Sequence, residues 1–196
     1  IDPVSCEGCG VCVRFCPARA IDFPERLCGE WMVSETRCGP MVHARLAAAV
    51  GNSGKLVATV RREARRVAAE ADRGLIVVDG PPGIGCPVIA SVGGASLVVA
   101  VAEATVSGAH DLERALGLAT HFNIPVAVLL NKSDLSPAQS EVITGYGTAN
   151  DIPLVGRLPD DPAVTAALVR GEPLTTTAGP VADALREAWD VVKTKI

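Results

Sequence analysis

Residues 74–85 read GLIVVDGPPGIG, a continuous apolar run followed by a turn rich in glycine and proline. An unbroken apolar run such as Leu75 to Asp79 is typical of a strand buried on both faces of a parallel sheet. An acidic residue at the end of such a strand can hold the hydration shell of Mg²⁺, and a nearby glycine amide can face a terminal phosphate. Asp79 and Gly83 are therefore candidate catalytic residues. The alternative is a strand-ending aspartate followed by a turn stiffened by proline.

Strands and helices alternate on the C-terminal side of this stretch. Three more apolar runs predict strands at Leu97–Ala102, Val126–Asn131 and Leu154–Leu158. Helical patterns lie between and after them, at Val88–Val92, Gly108–Phe122, Pro137–Asn150, Asp161–Val169 and Val181–Lys193. This alternation predicts an α/β fold with a doubly wound, mostly parallel sheet, whose ligands bind at the carboxyl ends of the strands.

A second polar group closes another predicted strand. Asn131, Lys132 and Asp134 form an N-K-x-D segment after the apolar run from Val126. An asparagine amide can read the edge of a purine there, and the lysine stem can cover the ring. Asn and Asp are also ordinary turn formers after strands, so this segment alone is a weak signal. Because the carboxyl ends of parallel strands share one edge, we expect Asp79 and Asn131 to line one nucleotide pocket.

Four of the seven cysteines stand within eleven residues near the start of the chain: Cys6, Cys9, Cys12 and Cys16. The spacing C-x-x-C-x-x-C-x-x-x-C-P is that of bacterial ferredoxins, whose thiolates hold a 4Fe-4S cluster. Gly8 and Gly10 let backbone amides approach the sulfides. The alternatives are inert thiols or a zinc site, but zinc motifs pair two distant C-x-x-C knuckles. The spacing leaves open whether Cys16 ligates a second cluster and whether Cys28 contributes a ligand.

The composition limits both the core and the partners. The chain has 48% hydrophobic and only 3% aromatic residues, so its core must be built from Ala, Val, Leu and Ile. A net charge of -4 argues against a surface for nucleic acid or anionic membranes. No apolar run is long enough to span a bilayer and no signal peptide opens the chain, which predicts a soluble, cytoplasmic protein.

The order of these features predicts three parts: residues 1–28, 29–52 and 53–196. The first is a ferredoxin-like module, too small to fold without its metal. The second is a hairpin-like return, and the third is the α/β domain, which begins with a helix capped by Asn52 and Ser53. The chain has no initiator Met and starts close to the cysteine run, so we expect it to be a fragment.

These motifs together resemble the MinD superfamily of P-loop ATPases with an inserted ferredoxin domain, relatives of the nitrogenase iron protein, the Mrp scaffold ATPases and the cobyrinic acid a,c-diamide synthases. The ferredoxin run, S-E-T-R-C-G-P-M-V-H-A-R-L, N-S-G-K-L, D-G-P-P-G-I-G-C-P-V-I-A-S and N-K-x-D follow in the family's order. The resemblance implies ATP and Mg²⁺ as cofactors and a homodimer. It implies that Asp79 orients magnesium and water, that Gly83 senses the terminal phosphate, and that Asn131 and Asp134 contact an adenine base.

The phosphate-binding loop of that family, G-x-x-x-x-G-K-[ST], does not occur in the sequence. The nearest similar stretch, Gly51 to Leu56, is predicted to be a helix N-terminus. In the family the Walker A loop and a first ferredoxin motif precede the point where this chain begins. ATP hydrolysis is therefore expected of the intact protein. Residues 1–28 are expected to be the second half of a two-cluster domain.

One chain that joins a ferredoxin run to a nucleotide switch predicts coupling between nucleotide state and electron transfer. The alternatives are a scaffold that carries clusters to client proteins and a cluster with a purely structural role. No residue identifies the redox partner or client. Among the weaker features, Cys86 is predicted to be a small buried thiol; the alternative is a cluster ligand, since its offset from Asp79 resembles that of a ligand in the nitrogenase iron protein. Ser107 is predicted to cap a helix near the ligand candidates Thr105 and His110.

Overall fold

The computed structural model describes the chain apart from residues 3–5, 7, 26, 48, 49 and 52. The helix cap predicted at Asn52 lies outside the described residues. The chain divides into two compact units, Ile1–Gly80 and Pro81–Ile196. The three-part division at residues 28 and 52 stays a prediction.

The first unit contains a short helix, a hairpin and a long helix. Helix α1 spans Val11–Phe15, strands β1 and β2 span Gly29–Thr36 and Gly39–Leu46, and helix α2 spans Gly54–Glu70. The two strands pair antiparallel from Gly29↔Leu46 to Thr36↔Gly39, which confirms the predicted hairpin. Thr36 Oγ1 closes the turn, since it accepts from Cys38 N at 3.1 Å and donates to Gly39 O at 2.7 Å.

Helix α2 begins where its sequence signal predicts. Ser53 Oγ accepts from Leu56 N at 3.3 Å, so the stretch that resembles a phosphate loop is a capped helix N-terminus. The helix packs on β2 and carries a basic outer face. Arg66 on that face is paired with Glu63 and Glu70, which raise the pKa of its guanidinium through hydrogen bonds and charge.

The strand predicted at Leu75–Asp79 is absent from the structure. Residues 74–80, all of which the structure describes, form neither helix nor strand. The four apolar residues of this run are all exposed, from 39% at Ile76 to 76% at Val77. The prediction was wrong because an apolar run becomes a strand only where a neighbouring strand accepts and donates its backbone hydrogen bonds.

The second unit alternates strands and helices as predicted. Its elements, in chain order, are α3 (Cys86–Val92), β3 (Val98–Glu103), α4 (Val106–His121), β4 (Val126–Asn131), α5 (Pro137–Ala149), β5 (Leu154–Arg157), α6 (Pro162–Val169), a 3₁₀ turn (Leu174–Thr176) and α7 (Pro180–Lys193). The strands form a parallel sheet in the order β3-β4-β5. Apart from the 3₁₀ turn, which was not predicted, each of these elements lies within two residues of its predicted bounds.

Strand β4 is the centre of this unit because both of its faces are covered. Val128 and Leu130 point to one face, where they pack with Leu112 of α4 and Ile143 of α5. The alternate residues of the strand, such as Ala127, pack on the other face with Val155 of β5 and Val192 of α7. Helices on both faces of a parallel sheet confirm the doubly wound α/β fold.

The buried apolar residues are all Ala, Val, Leu or Ile, as the composition predicts. Small side chains also let the layers approach closely. A Cβ atom at Gly156 of β5 would lie 2.6 Å from Cβ of Ala188 in α7, so only glycine fits that contact. No helix in the described part of the chain combines the length and apolar character needed to cross a membrane.

Candidate functional site

Polar side chains collect at the carboxyl edge of the parallel sheet. Strand β3 ends at Glu103 and β4 ends at Asn131, and these two residues are the last pair in their ladder. The Asn131 side chain is half-buried and makes no hydrogen bond to another described residue. Its amide is therefore free to bind a ligand at this edge, which is where doubly wound sheets bind ligands.

Lys132 reaches back across this edge to β3. Its Nζ lies 2.5 Å from Glu103 Oε1, and both side chains are about two-fifths exposed, at 42% and 40%. The hydrogen bond and the negative charge of Glu103 raise the pKa of Lys132, the nearby Asp160 carboxylate adds to the rise, and desolvation opposes it. Lys132 is thus a fixed cation at the strand ends.

The rest of the N-K-x-D loop is tied to the loop between β5 and α6. Ser133 N donates to Leu158 O at 2.9 Å, and Asp134 Oδ1 accepts from Asp160 N at 2.7 Å. From the other side, the buried Ser140 donates to Ser133 O at 2.6 Å. One oxygen of Asp134, predicted to contact a base, is thus already committed to a neighbouring backbone amide. The second oxygen of that carboxylate is left for a ligand.

The loop after β3 is equally well defined. Thr105 is the N-cap of α4 and accepts from Gly108 N at 3.0 Å, whereas Ser107 lies inside the helix. The cap predicted at Ser107 was wrong, because the helix begins two residues earlier than predicted and Thr105 has the extended backbone of a cap. Thr105 N also donates to Glu103 O at 2.7 Å, which fixes the end of β3. His110 lies on α4 beside a small groove lined by Ile143 and other residues.

Gly108 lets the first turn of α4 pass against the Glu103 carbonyl, since a Cβ there would clash with that oxygen. We expect Gly108→Ala to destabilise the chain by about 1–3 kcal/mol, the usual cost of overpacking against fixed backbone. Gly117 on the same helix has open space at its Cβ position, so Gly117→Ala is the matched control. Alanine there should be neutral or stabilising by about 0.5–1 kcal/mol. Urea unfolding of both variants measures this, and equal effects would contradict the close approach.

Asp79 and Gly83, the predicted catalytic residues, lie on opposite sides of the division between the two units. Asp79 is exposed near the end of the first unit. Gly83 lies near the start of the second unit, with open space at its Cβ position and a φ of 91°, a backbone conformation that favours glycine. A pocket that joins Asp79 to Asn131 therefore stays a prediction. Cys86, predicted to be buried, is exposed at the start of α3, because that short helix turns its opposite side inward.

The four cysteines of the ferredoxin run lie around α1. Cys12 is in the helix and Cys16 is its C-cap, and none of the four is in a disulfide. Gly8 and Gly10 have φ values of 66° and 73°, which permit the tight turns between the first three cysteines. Ala20 N donates to Cys16 Sγ at 3.5 Å, the kind of amide bond that stabilises a ligating thiolate.

These thiols fit an iron-sulfur cluster in number, spacing and hydrogen bonding. Among the described residues no three Cys, His, Asp or Glu side chains converge into one ready-made metal site. Cys6, Cys9 and Cys12 are exposed and Cys16 is half-buried. They would hold the cluster after a local adjustment of the loop, and its binding would then contribute to the folding of the segment.

Glu103 and Asp160 belong to the carboxyl edge, yet sequence reasoning missed both. A signal for Glu103 did exist, because it is the acidic residue that follows the apolar run Leu97–Ala102. Asp160 participates through its backbone amide, as the partner of Asp134, and a backbone contact leaves no trace in residue type.

Comparison with known proteins gives a family match for the start of the chain and one curated relative over about two thirds of it. Residues 1–22 match the Fer4 family, a 4Fe-4S binding domain. The uncharacterized protein MJ0578 of Methanocaldococcus jannaschii is 32% identical over 137 residues, which is 69% of this chain. This chain spans about half, 48%, of the length of that curated relative.

Solved structures of MinD proteins have the same fold. The MinD cell division protein of Aquifex aeolicus matches with a TM-score of 0.61 at 17% identity, over 84% of this chain and 69% of that one. The septum site-determining protein MinD of Pyrococcus horikoshii, complexed with Mg-ADP, matches with a TM-score of 0.56 at 16% identity, over 71% and 56%. The chain thus joins a ferredoxin-type 4Fe-4S binding domain to the α/β fold of the MinD ATPases, which confirms the resemblance seen in its motifs.

Proposed function

We propose that the chain is an iron-sulfur and ATP-binding protein in which the nucleotide state is coupled to electron transfer through the cluster. The observation that carries the proposal is the presence, in one chain, of a 4Fe-4S binding domain and a sheet edge with an unpartnered Asn131 amide beside a fixed Lys132 cation. A nucleotide can bias a two-state element, and a cluster potential responds to charge and solvent around it.

The residues have separate roles in this proposal. The cluster is held by four thiolates, those of Cys6, Cys9, Cys12 and Cys16. Asn131 reads the adenine edge, Lys132 covers the ring, and the free oxygen of Asp134 completes the base contact. Asp79 orients Mg²⁺ and its water, and the Gly83 amide faces the terminal phosphate. The Mg-ADP complex of the Pyrococcus horikoshii protein supports an adenine nucleotide in a site of this fold. Hydrolysis of the bound ATP, by a homodimer, is part of this proposal.

A redox titration tests the coupling. The midpoint potential of the reconstituted cluster should shift when Mg-ATP is added and should return when the nucleotide is removed. Asn131→Ala provides the matched control, because it removes the base contact at a half-buried position without touching the cysteines. A potential that is the same with and without Mg-ATP, in a chain that binds the nucleotide, contradicts the coupling.

A second function is favoured by the exposure of the cysteines. Three of the four thiols are exposed, so a cluster bound by them is within reach of an acceptor protein. A carrier scaffold for clusters would use this exposure to pass the cluster on. Incubation with an apo-ferredoxin separates the two functions, since a carrier loses its cluster to the acceptor and an electron-transfer protein keeps it. If iron removal only unfolds residues 1–28, and nucleotide affinity is unchanged, the cluster is structural.

A further inference from the structure

We propose that Glu103 is a positioning residue of the nucleotide site, which holds the Lys132 side chain across the carboxyl edge of the sheet so that its stem can cover the base. The inference rests on the proposed function and adds to it a residue that neither the motifs nor the resemblance assigns. Glu103 acts through Lys132 and is not itself placed against the nucleotide.

Both ends of the Glu103–Lys132 ion pair are anchored in the backbone. Glu103 is the last residue of β3, and its carbonyl is fixed by Thr105 N and by the close approach of Gly108. Lys132 directly follows β4, and its backbone φ of 50° is one that residues other than glycine rarely adopt outside a constrained turn. Because both strand ends are held, only the two side chains must be ordered for the pair to form.

The charges around Lys132 indicate that Glu103 determines where the Lys132 side chain points. Two carboxylates influence the ammonium, Glu103 at the end of β3 and Asp160 in the loop after β5. Among the described residues only Glu103 is hydrogen-bonded to Lys132, at 2.5 Å, and it is the largest cause of the raised pKa of Lys132. Without the Glu103 carboxylate, the flexible stem would be free to turn toward Asp160 or into solvent.

The geometry links this pair to the proposed base contact. Glu103 and Asn131 are partners in the ladder, and Lys132 follows Asn131 directly, so the ion pair spans the same edge to which Asn131 contributes its free amide. A lysine stem held across that edge presents methylene groups to a planar ring while its charge stays paired. This arrangement favours a neutral base over an anionic ligand beside Glu103.

Glu103→Gln tests the inference, because glutamine keeps the shape and removes the charge. We expect its Mg-ATP affinity, measured by isothermal titration calorimetry, to be about two- to fivefold weaker than that of the unaltered chain, the range of a partly exposed ion pair. The difference should shrink at high salt, since part of it is electrostatic. Glu113→Gln is the matched control: Glu113 is exposed on α4 and has no ion pair among the described residues, and this variant should bind like the unaltered chain.

A second readout separates positioning from a general effect on structure. The chain has four lysines, so ¹³C-methylated lysine signals can be assigned with Lys132→Arg and followed by NMR. In Glu103→Gln without nucleotide, the pH midpoint of the Lys132 signal should fall, because the carboxylate that raises the pKa of Lys132 is gone, while the other three signals stay in place. In the unaltered chain, Mg-ATP should move the Lys132 signal.

The outcomes distinguish the inference from the proposed function. If the unaltered chain binds Mg-ATP and Glu103→Gln binds equally well, the positioning role of Glu103 is overturned and nucleotide binding stands. An unchanged Lys132 signal in Glu103→Gln also overturns it, because the ion pair would then not exist in solution. If the unaltered chain does not bind Mg-ATP, the proposed function is contradicted, and the positioning role of Glu103 with it. A Lys132 signal that then still responds to Glu103→Gln shows that the ion pair exists and is purely structural.

Discussion

Serine in place of Cys12 is expected to abolish assembly of the 4Fe-4S cluster. Cys12 lies within α1 and is the third cysteine of the ferredoxin run. The neighbouring thiol, that of the C-cap residue Cys16, cannot replace it because Cys16 is itself a predicted ligand. A serine hydroxyl is not ionised at neutral pH and is a harder, weaker ligand for iron than a thiolate. Iron and acid-labile sulfide, quantified after anaerobic reconstitution, should fall to background.

Cys38→Ser is the matched control for this experiment. Cys38 is also an exposed free thiol of the first unit, but it lies in the turn between β1 and β2, outside the ferredoxin run. Its replacement should leave the iron and sulfide content unchanged. A cluster that survives in Cys12→Ser, or one that is lost in Cys38→Ser, would mean that the spacing of the cysteines does not identify the ligands.

Leu130→Ala is expected to have the largest effect on stability, a loss of about 2–5 kcal/mol in the free energy of unfolding. Leu130 is fully buried in β4 and packs with side chains of α4 and α5, so its truncation leaves a cavity in the middle of the second unit. The same loss would also displace the strand end that carries Asn131. Urea unfolding measures the change.

The structure supplies a reporter and a control for that measurement. Trp189 lies in the second unit and Trp31 in the first, so the Trp31→Phe background makes tryptophan fluorescence specific for the unit that contains Leu130. Val101→Ala, on the neighbouring strand β3, removes a side chain that is 64% exposed and should cost less than about 1 kcal/mol. Equal losses for the two variants would contradict the placement of the core around β4.

The sequence predicted the second unit well because its strands and helices are stabilised by local patterns and by one another. The run Val126–Asn131 was predicted with its bounds, since a strand covered on both faces needs apolar residues at every position. The run Leu75–Asp79 has the same pattern but forms no strand, because pairing depends on a neighbour that the run itself does not specify. Apolar character alone could not distinguish these two cases.

The candidate site was predicted at the level of residue types but not of contacts. Asn131 and Lys132 were selected as polar residues after a strand, and they lie at the expected edge. The bond from Asp160 N to Asp134 joins residues that are far apart in sequence, and it depends on where two loops meet in the fold. The position of the α4 cap at Thr105 instead of Ser107 was missed because both residue types are good caps.

Anaerobic reconstitution of the chain, followed by EPR of the reduced sample before and after addition of Mg-ATP, tests whether the cluster and the nucleotide are coupled. We predict the signal of a reduced 4Fe-4S cluster, with iron and sulfide in near-equal amounts, and a change in that signal when the nucleotide binds. Calorimetry on the same sample establishes that Mg-ATP is bound. A cluster signal that is identical with and without bound Mg-ATP, or a chain that assembles no cluster, would contradict the coupling of the two sites.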